Sequence, residues 1–289
     1  MAPARIFPWL DRSGRFSPLK AATLAGVMAP ALWIAWQAWT HQLGANPLTE
    51  AIHQSGTWVV RLLLVTLAIT PLRRIGGWPR LILVRRMVGV AAMAYALLHL
   101  GLYVASQSFS PIRVVSEIAL RFYLTIGFVA VAILVALGAT SLDAAIRRLG
   151  RRWNQLHRLV YLATALGIVH FFLQSKVDVS EPVVMAGFFF WLMAFRLLDR
   201  AGGERPRPLR LTGLVLLVPV LTALAEAAWY LGRNGVDPKM VLSANFSLAL
   251  GPRPAVWVLI VAMIPPLIAA ARPWWERQPR RVRPVRAAA

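Results

Sequence analysis

The sequence predicts an all-α membrane protein, and three observations carry that prediction. Hydrophobic residues make up 58% of the 289-residue chain and the mean hydropathy is +0.60, more apolar than a soluble domain tolerates. Apolar runs recur eight times, over roughly 21–40, 57–72, 87–105, 122–140, 155–173, 182–198, 211–231 and 254–271. Most approach the ~20 residues that carry a helix across a ~30 Å hydrocarbon core. None shows the ~10-residue alternation of a membrane barrel strand. The third observation is that basic residues alternate by loop. With the N-terminus placed in the cytoplasm, 25 of 32 Lys and Arg fall on that side. Four precede the first run, five lie from Arg73 to Arg86, five from Arg147 to Arg158, five from Arg196 to Arg210 and six from Arg272 onward. The other side holds Arg113, Arg121, Lys176, Arg233, Lys239 and Arg253, while Arg61 lies inside the second run. This is the positive-inside rule repeated over eight spans, and it places both termini in the cytoplasm.

Each element follows in order. The first run succeeds a basic segment but is too long for the core of a signal peptide, so it reads as a retained anchor. The second and sixth runs are short and are expected to extend into their flanks. TSLDAAIRRLGRRW, after the fourth run, has the pattern of a short helix lying on the cytoplasmic surface. DRAGGERPRPLR at 199–210 reads as a loop and a seam between a six-helix core and a two-helix extension. Pro219 predicts a mild bend in the seventh run, and Pro265 with Pro266 a kink in the eighth. Glu226, close to the outer end of the seventh run, reads as a side chain that reaches water. The tail RPWWERQPRRVRPVRAAA is too polar and proline-rich to fold, and reads as a solvated arm against anionic lipid.

Charge and composition also exclude functions. The net charge of +21 is mostly a topology signal, and no basic face interleaves with stacking aromatics, so nucleic acid is not an expected partner. The chain has no cysteine, which removes disulfides, thiolate-ligated clusters and covalently attached c-type haem. It carries neither a G-x-G-x-x-G after a strand nor a P-loop, so a redox role would need a separate electron donor.

Three histidines stand inside apolar runs: His99 in MVGVAAMAYALLHLGLYVA, and His157 and His170 in QLHRLVYLATALGIVHFFL. An ionisable ring at membrane depth is costly unless it has a partner, and imidazole is a common axial ligand of haem iron. The third and fifth runs both start at the cytoplasmic face. A rise of 1.5 Å per residue then puts His99 about 18 Å along its helix, His170 about 22 Å and His157 about 3 Å. His99 and His170 share a level in the outer half of the bilayer, where they could ligate one metal. Ala91, Ala92, Ala94, Ala96 and Gly101, with Ala163, Ala165 and Gly167, leave room for a flat macrocycle or simply allow close helix packing. Arg61 could meet a haem propionate or snorkel to outer headgroups, and Arg121 has the same two readings. His157, on another face of its helix, is either a ligand or an interfacial base or cofactor contact. A second haem would want a partner for it near Arg85 and Arg86. His41 and His53 read as interfacial. The rival from another class is a small-solute transporter without haem.

The segments GTWVVRLLLVTLAITPLRR, RLILVRRMVGVAAMAYALLHLGLYV and RFYLTIGFVAVAILVALGATSLDAAIRRLGRRWNQLHRLVYLATALGIVH resemble, in order and spacing over about 20–200, the MsrQ (YedZ) family. These are haem-binding membrane subunits of the bacterial protein-methionine-sulfoxide reductase system, in the ferric-reductase-like transmembrane group. The resemblance implies a cytoplasmic segment at 1–20 and a six-helix haem-binding core at 21–200. A two-helix extension at 201–271 and a basic tail at 272–289 follow. It further implies a multi-pass inner-membrane protein with one or two b haems on His99, His170 and His157, and with FMN associated. Electrons would come from the quinone pool or from reduced flavin, supplied by a cytoplasmic flavin reductase. They would go to a periplasmic molybdopterin reductase, MsrP, that repairs oxidised methionines, and this chain would be the electron-transfer component with no substrate chemistry of its own. Arg61, Arg85 and Arg86 are further candidate cofactor contacts. A ferric or quinone reductase with another acceptor is the nearer alternative. Two departures from the group stand out: the two additional spans, and arginines at 85 and 86 where the four-histidine pattern would place a ligand.

Overall fold

The computed structural model describes residues 7–11, 13–176, 178–202, 208–247 and 251–276. Among them the only β pairing is an isolated bridge between Leu10 and Phe16, and the rest of the regular structure is helical. The helices are α1 (Pro18–Trp39), α2 (Pro47–Gly76), α3 (Ile82–Ser106), α4 (Pro111–Leu120), α5 (Phe122–Ala139) and α6 (Asp143–Leu149). They continue as α7 (Arg151–Leu156), α8 (Leu159–Gln174), α9 (Ser180–Gly202), α10 (Pro208–Asn234), α11 (Pro238–Ala244) and α12 (Pro254–Glu276). Among the described residues eight segments are long and apolar enough to span a bilayer, built on α1, α2, α3, α5, α7 with α8, α9, α10 and α12. The second and sixth runs do extend, to 30 and 23 residues. The segment TSLDAAIRRLGRRW after the fourth run, expected to hold a short helix, forms the two short helices α6 and α7. Two readings are corrected: 272–276, expected in an unfolded tail, continue α12 because they cap the end of α2, and 199–202 and 208–210, expected in a loop, are the last turn of α9 and the first of α10. Residues 203–207 and 277–289 lie outside the described residues.

Start signals explain where the helices begin. α1, α2, α4, α10, α11 and α12 all open on proline, whose fixed φ suits the first turn and whose missing N–H would have been unpaired there anyway. Ser110 and Asp237 add side-chain caps to α4 and α11 by accepting from the backbone N–H groups of Arg113 and Lys239. α2 stops at Gly77, which takes the left-handed conformation with φ of 68°.

α2 is the hub of the bundle, packing on α1, α3, α8, α9 and α12, and its buried Leu63, Leu67 and Ile75 anchor the main apolar core. In the absence of a hydrophobic drive between spans, polar contacts and close packing hold such helices together. Prolines inside spans create the openings. Pro71 cannot donate to the Leu67 carbonyl one turn earlier, and Arg196 of α9 donates its Nη2 to that oxygen at 2.7 Å. The same guanidinium reaches Leu192 O and the Tyr161 hydroxyl, at 2.8 and 3.1 Å.

Tyr95 does the comparable task for α1, beside Pro30. Its hydroxyl donates to Val27 O at 2.8 Å and accepts from Ala31 N at 2.7 Å, standing between two groups that an unbroken helix would join directly. Tyr95→Phe is therefore expected to destabilise the detergent-solubilised protein by about 1–3 kcal/mol, the cost of leaving buried polar groups unmatched. A melting curve superimposable on the wild type would show instead that α1 recloses its own ladder.

α10 and α12 pack on each other and on α9, with α12 also touching α2. Arg272 of α12 donates to Arg74 O and Ile75 O at 3.0 and 3.3 Å, and Trp275 Nε1 to Gly76 O at 3.2 Å. Those are the unpaired final carbonyls of α2, so the end of the last helix caps the second. Glu226 departs from the expectation of a water-reaching side chain. It is fully buried on α10, ion-paired with Arg253 and within 3.3 Å of Asn245 Nδ2.

Candidate functional site

His99 of α3 and His170 of α8 face each other in the arginine-poor half of the bundle. Their ring centres are 6.3 Å apart and their planes cross at 82°. The helices behind them stand apart. α3 packs on α1, α2 and α5, α8 packs on α2, α5 and α9, and α3 and α8 share no extended contact.

Neighbouring backbone holds each ring. His99 Nδ1 lies 2.9 Å from Ile52 O on α2, and His170 Nδ1 lies 2.8 Å from Tyr123 O on α5. A carbonyl only accepts, so Nδ1 carries the proton and donates in both, leaving Nε2 as the nitrogen whose lone pair is available to a metal. One turn beyond each carbonyl stands a glycine. A Cβ on Gly56 would meet His99 Nδ1 and Cε1 at 2.9 Å, and one on Gly127 would meet His170 Nδ1 at 2.8 Å.

The spacing of the pair fits two imidazoles that would share one metal. A metal–imidazole bond of about 2.0–2.1 Å, as at zinc, with about 1.1 Å more from nitrogen to ring centre, puts two opposed ring centres about 6.3 Å apart. That is the spacing found. Among the described residues no group of three or more His, Cys, Asp or Glu gathers as a bare ion would require. Two imidazoles alone suit a metal whose remaining ligands come from a macrocycle.

Around this pair the charged candidates have partners of their own. Arg61 Nη2 donates to Glu181 at 2.5 Å, and its guanidinium sits 4.9 Å over the Trp58 ring. Both ionic groups line a cavity of about 340 Å³ that also touches Met185 of α9 and Trp257 of α12. Arg121 pairs with Glu117 at 2.5 Å and donates to the Tyr123 hydroxyl at 3.3 Å, while the Tyr123 ring leans on His170 with centres 6.5 Å apart.

His157 stands at the opposite, arginine-rich end, in the turn between α7 and α8. Its ring stacks on Trp153 at 3.8 Å, its Nδ1 donates to Trp153 O at 3.1 Å, and its Nε2 lies 3.4 Å from Ser141 Oγ. Trp153 is itself fixed by a 2.9 Å bond from Nε1 to Thr140 O. Arg86 pairs with Asp143, and Arg85 lies in the electrostatic field of Tyr161, Arg196 and Arg73. The structure thus brings His99 and His170 together and groups His157 with Arg85 and Arg86 elsewhere. Ile52, Gly56, Tyr123 and Gly127 were not singled out from the sequence: a backbone carbonyl leaves no trace there, and a glycine in an apolar run resembles any other packing residue.

Residues 55–168 match the family described as the ferric reductase like transmembrane component. A protein-methionine-sulfoxide reductase heme-binding subunit MsrQ of Xanthomonas campestris pv. campestris (strain 8004) is 40% identical over 194 residues, covering 64% of this chain and 88% of the relative. The chain belongs to the MsrQ family. The MsrQ of Caulobacter vibrioides (strain ATCC 19089 / CIP 103742 / CB 15) is 42% identical over 173 residues, covering 59% of this chain and 82% of its own length. That of Azospira oryzae (strain ATCC BAA-33 / DSM 13638 / PS) is 36% identical over 201 residues, covering 68% and 86%. No solved structure matches the chain. Eight apolar helices among the described residues and membership of the MsrQ family make this a multi-pass membrane protein.

Proposed function

We propose that this chain is a b-haem electron-transfer subunit of the bacterial inner membrane, with both termini in the cytoplasm. It passes electrons from the quinone pool or from reduced flavin to a periplasmic molybdopterin protein-methionine-sulfoxide reductase, MsrP, for repair of oxidised envelope proteins. The carrying observation is the His99–His170 pair, 6.3 Å between ring centres with both Nδ1 groups engaged by backbone. Haem b bound there supplies one-electron redox chemistry.

The protein's own residues do the rest. His99 and His170 would hold the iron, and the carbonyls of Ile52 and Tyr123 fix the tautomer of each ring and would raise its basicity as a ligand. Arg61, paired with Glu181, is the candidate partner for a propionate. At the arginine-rich end His157, Arg85 and Arg86 form the entry side, where a flavin such as FMN or a quinone would be met and where a second haem would lie if two are bound. Residues 21–200 form the redox core, the extension from 201 runs to Glu276 at the end of α12 and braces the core through α9 and α2, and the basic composition of the sequence beyond it suits anionic lipid. Sulfoxide reduction is left to the partner.

Purified protein tests this directly. It should give a b-type reduced-minus-oxidised spectrum, and a pyridine haemochrome assay should return one or two haems per chain. Colourless protein with no haem uptake would defeat the reading and favour a solute transporter. Co-purification with a periplasmic molybdoenzyme separates the proposed acceptor from that of a ferric or quinone reductase.

A further inference from the structure

The two histidines are held by the same device used twice. On each side a ring lies against a neighbouring helix at a glycine, and its Nδ1 donates to the carbonyl four residues before that glycine: Ile52 before Gly56 for His99, Tyr123 before Gly127 for His170. The two supporting helices are different, α2 and α5, and the two rings end up 82° apart in plane. We infer that Gly56 and Gly127 are positioning residues whose missing side chains let each imidazole reach its carbonyl, and that together they hold the axial ligand planes crossed. The inference rests on the haem reading and adds to it what sets the ligand orientation.

The physical step is steric. Contacts of 2.8–2.9 Å between a Cβ and ring atoms are shorter than real structures allow, so an alanine at either position must push the ring away. The ring cannot yield without loss, because the atoms struck include Nδ1, the same atom that makes the hydrogen bond. Displacing it turns the plane about the bond to the metal and weakens the support that orients a ligating histidine. The orientation is readable because π donation from each axial imidazole splits the iron d orbitals that contain the unpaired electron. Parallel planes reinforce one splitting and give a rhombic low-spin ferric signal. Crossed planes nearly cancel it and give a strongly anisotropic signal with a large maximum g value. Ligand orientation and its hydrogen bonds are also among the levers a protein has on haem potential.

The test is low-temperature electron paramagnetic resonance of the oxidised, haem-loaded full chain. Signals that vanish in His99→Ala identify the haem of this site, whatever the total haem count. In the wild type that signal should be of the large-g, crossed-plane form; a rhombic, parallel-plane signal would overturn the inference. Gly56→Ala and Gly127→Ala should each lower the maximum g value and shift the midpoint potential, or convert the site to high spin in a protein whose helical content is unchanged. Gly89→Ala is the control, since its added Cβ would meet only Thr66 Cγ2, at an ordinary 3.7 Å. Wild-type signals and potentials in both Gly56→Ala and Gly127→Ala would sink the inference while leaving the haem itself in place. Absence of haem from the wild type would instead defeat the underlying reading.

Discussion

Replacing His99 or His170 with alanine is expected to remove most of the b-type absorbance of the purified protein, with either substitution alone sufficient. Removing a hydrogen-bonded support from a ligand typically costs about 10–100-fold in affinity, and removing the ligand itself should cost more. Each variant also loses one of two facing rings carried by α3 and α8, helices that share no extended contact. Haem per chain, measured by pyridine haemochrome at matched helical content, reads the effect. His157→Ala supplies the contrast. Its ring is stacked on Trp153 at the other end of α8, thirteen residues and about 20 Å from His170 along a helix. If one haem is bound, His157→Ala should leave the low-spin signal of the His99–His170 site intact. If two are bound, it should remove a different component. Full haem content in both His99→Ala and His170→Ala would refute the pairing.

How much of this was legible in the sequence depends on the length scale of each signal. The spans were readable because crossing a bilayer takes a long apolar run, and the shared depth of His99 and His170 followed from counting along two helices that start on one side. α4 and α11 were not readable. At 10 and 7 residues they are too short for that signal, and only the Ser110–Pro111 and Asp237–Pro238 junctions announce them. α2 exceeded its apolar run because Glu50, His53 and Gln54 dilute its first turns without breaking the helix. The contacts made through space were the hardest to foresee. Nothing near Pro71 says that Arg196 will take the carbonyl that the proline frees, 129 residues away in the chain. The cradle around the histidines is of the same kind, since its acceptors are main-chain atoms.

The ion pair of the extension, buried at its carboxylate, gives the second large effect. Glu226 was read as reaching water because it lies near a helix end, yet none of it is exposed. Its two oxygens are taken by Arg253, just before α12, and by Asn245, just after α11, and Asn245 Nδ2 also donates to Val241 O at 3.0 Å. One carboxylate thereby fastens α10 to the end of α11 and the start of α12. Arg253→Ala would leave that carboxylate in an apolar surrounding with only an amide for company, an expected loss of about 3–5 kcal/mol. Replacing both partners together, as Glu226→Leu with Arg253→Met, should recover most of the loss, because a buried pair returns in attraction little more than its desolvation costs. Thermal unfolding in detergent reads the stability of all three proteins. The haem spectrum should stay that of the wild type in each, since the hydrogen bonds to Glu226 come from the end of α11 and the start of α12. Equal melting of Arg253→Ala and the wild type would show that water reaches Glu226. A haem spectrum altered by Arg253→Ala would show that the extension acts on the site, either through α9, which carries Glu181 to Arg61 and on which both α10 and α12 pack, or through Trp229 of α10, whose ring lies 5.0 Å from that of Phe172 on α8.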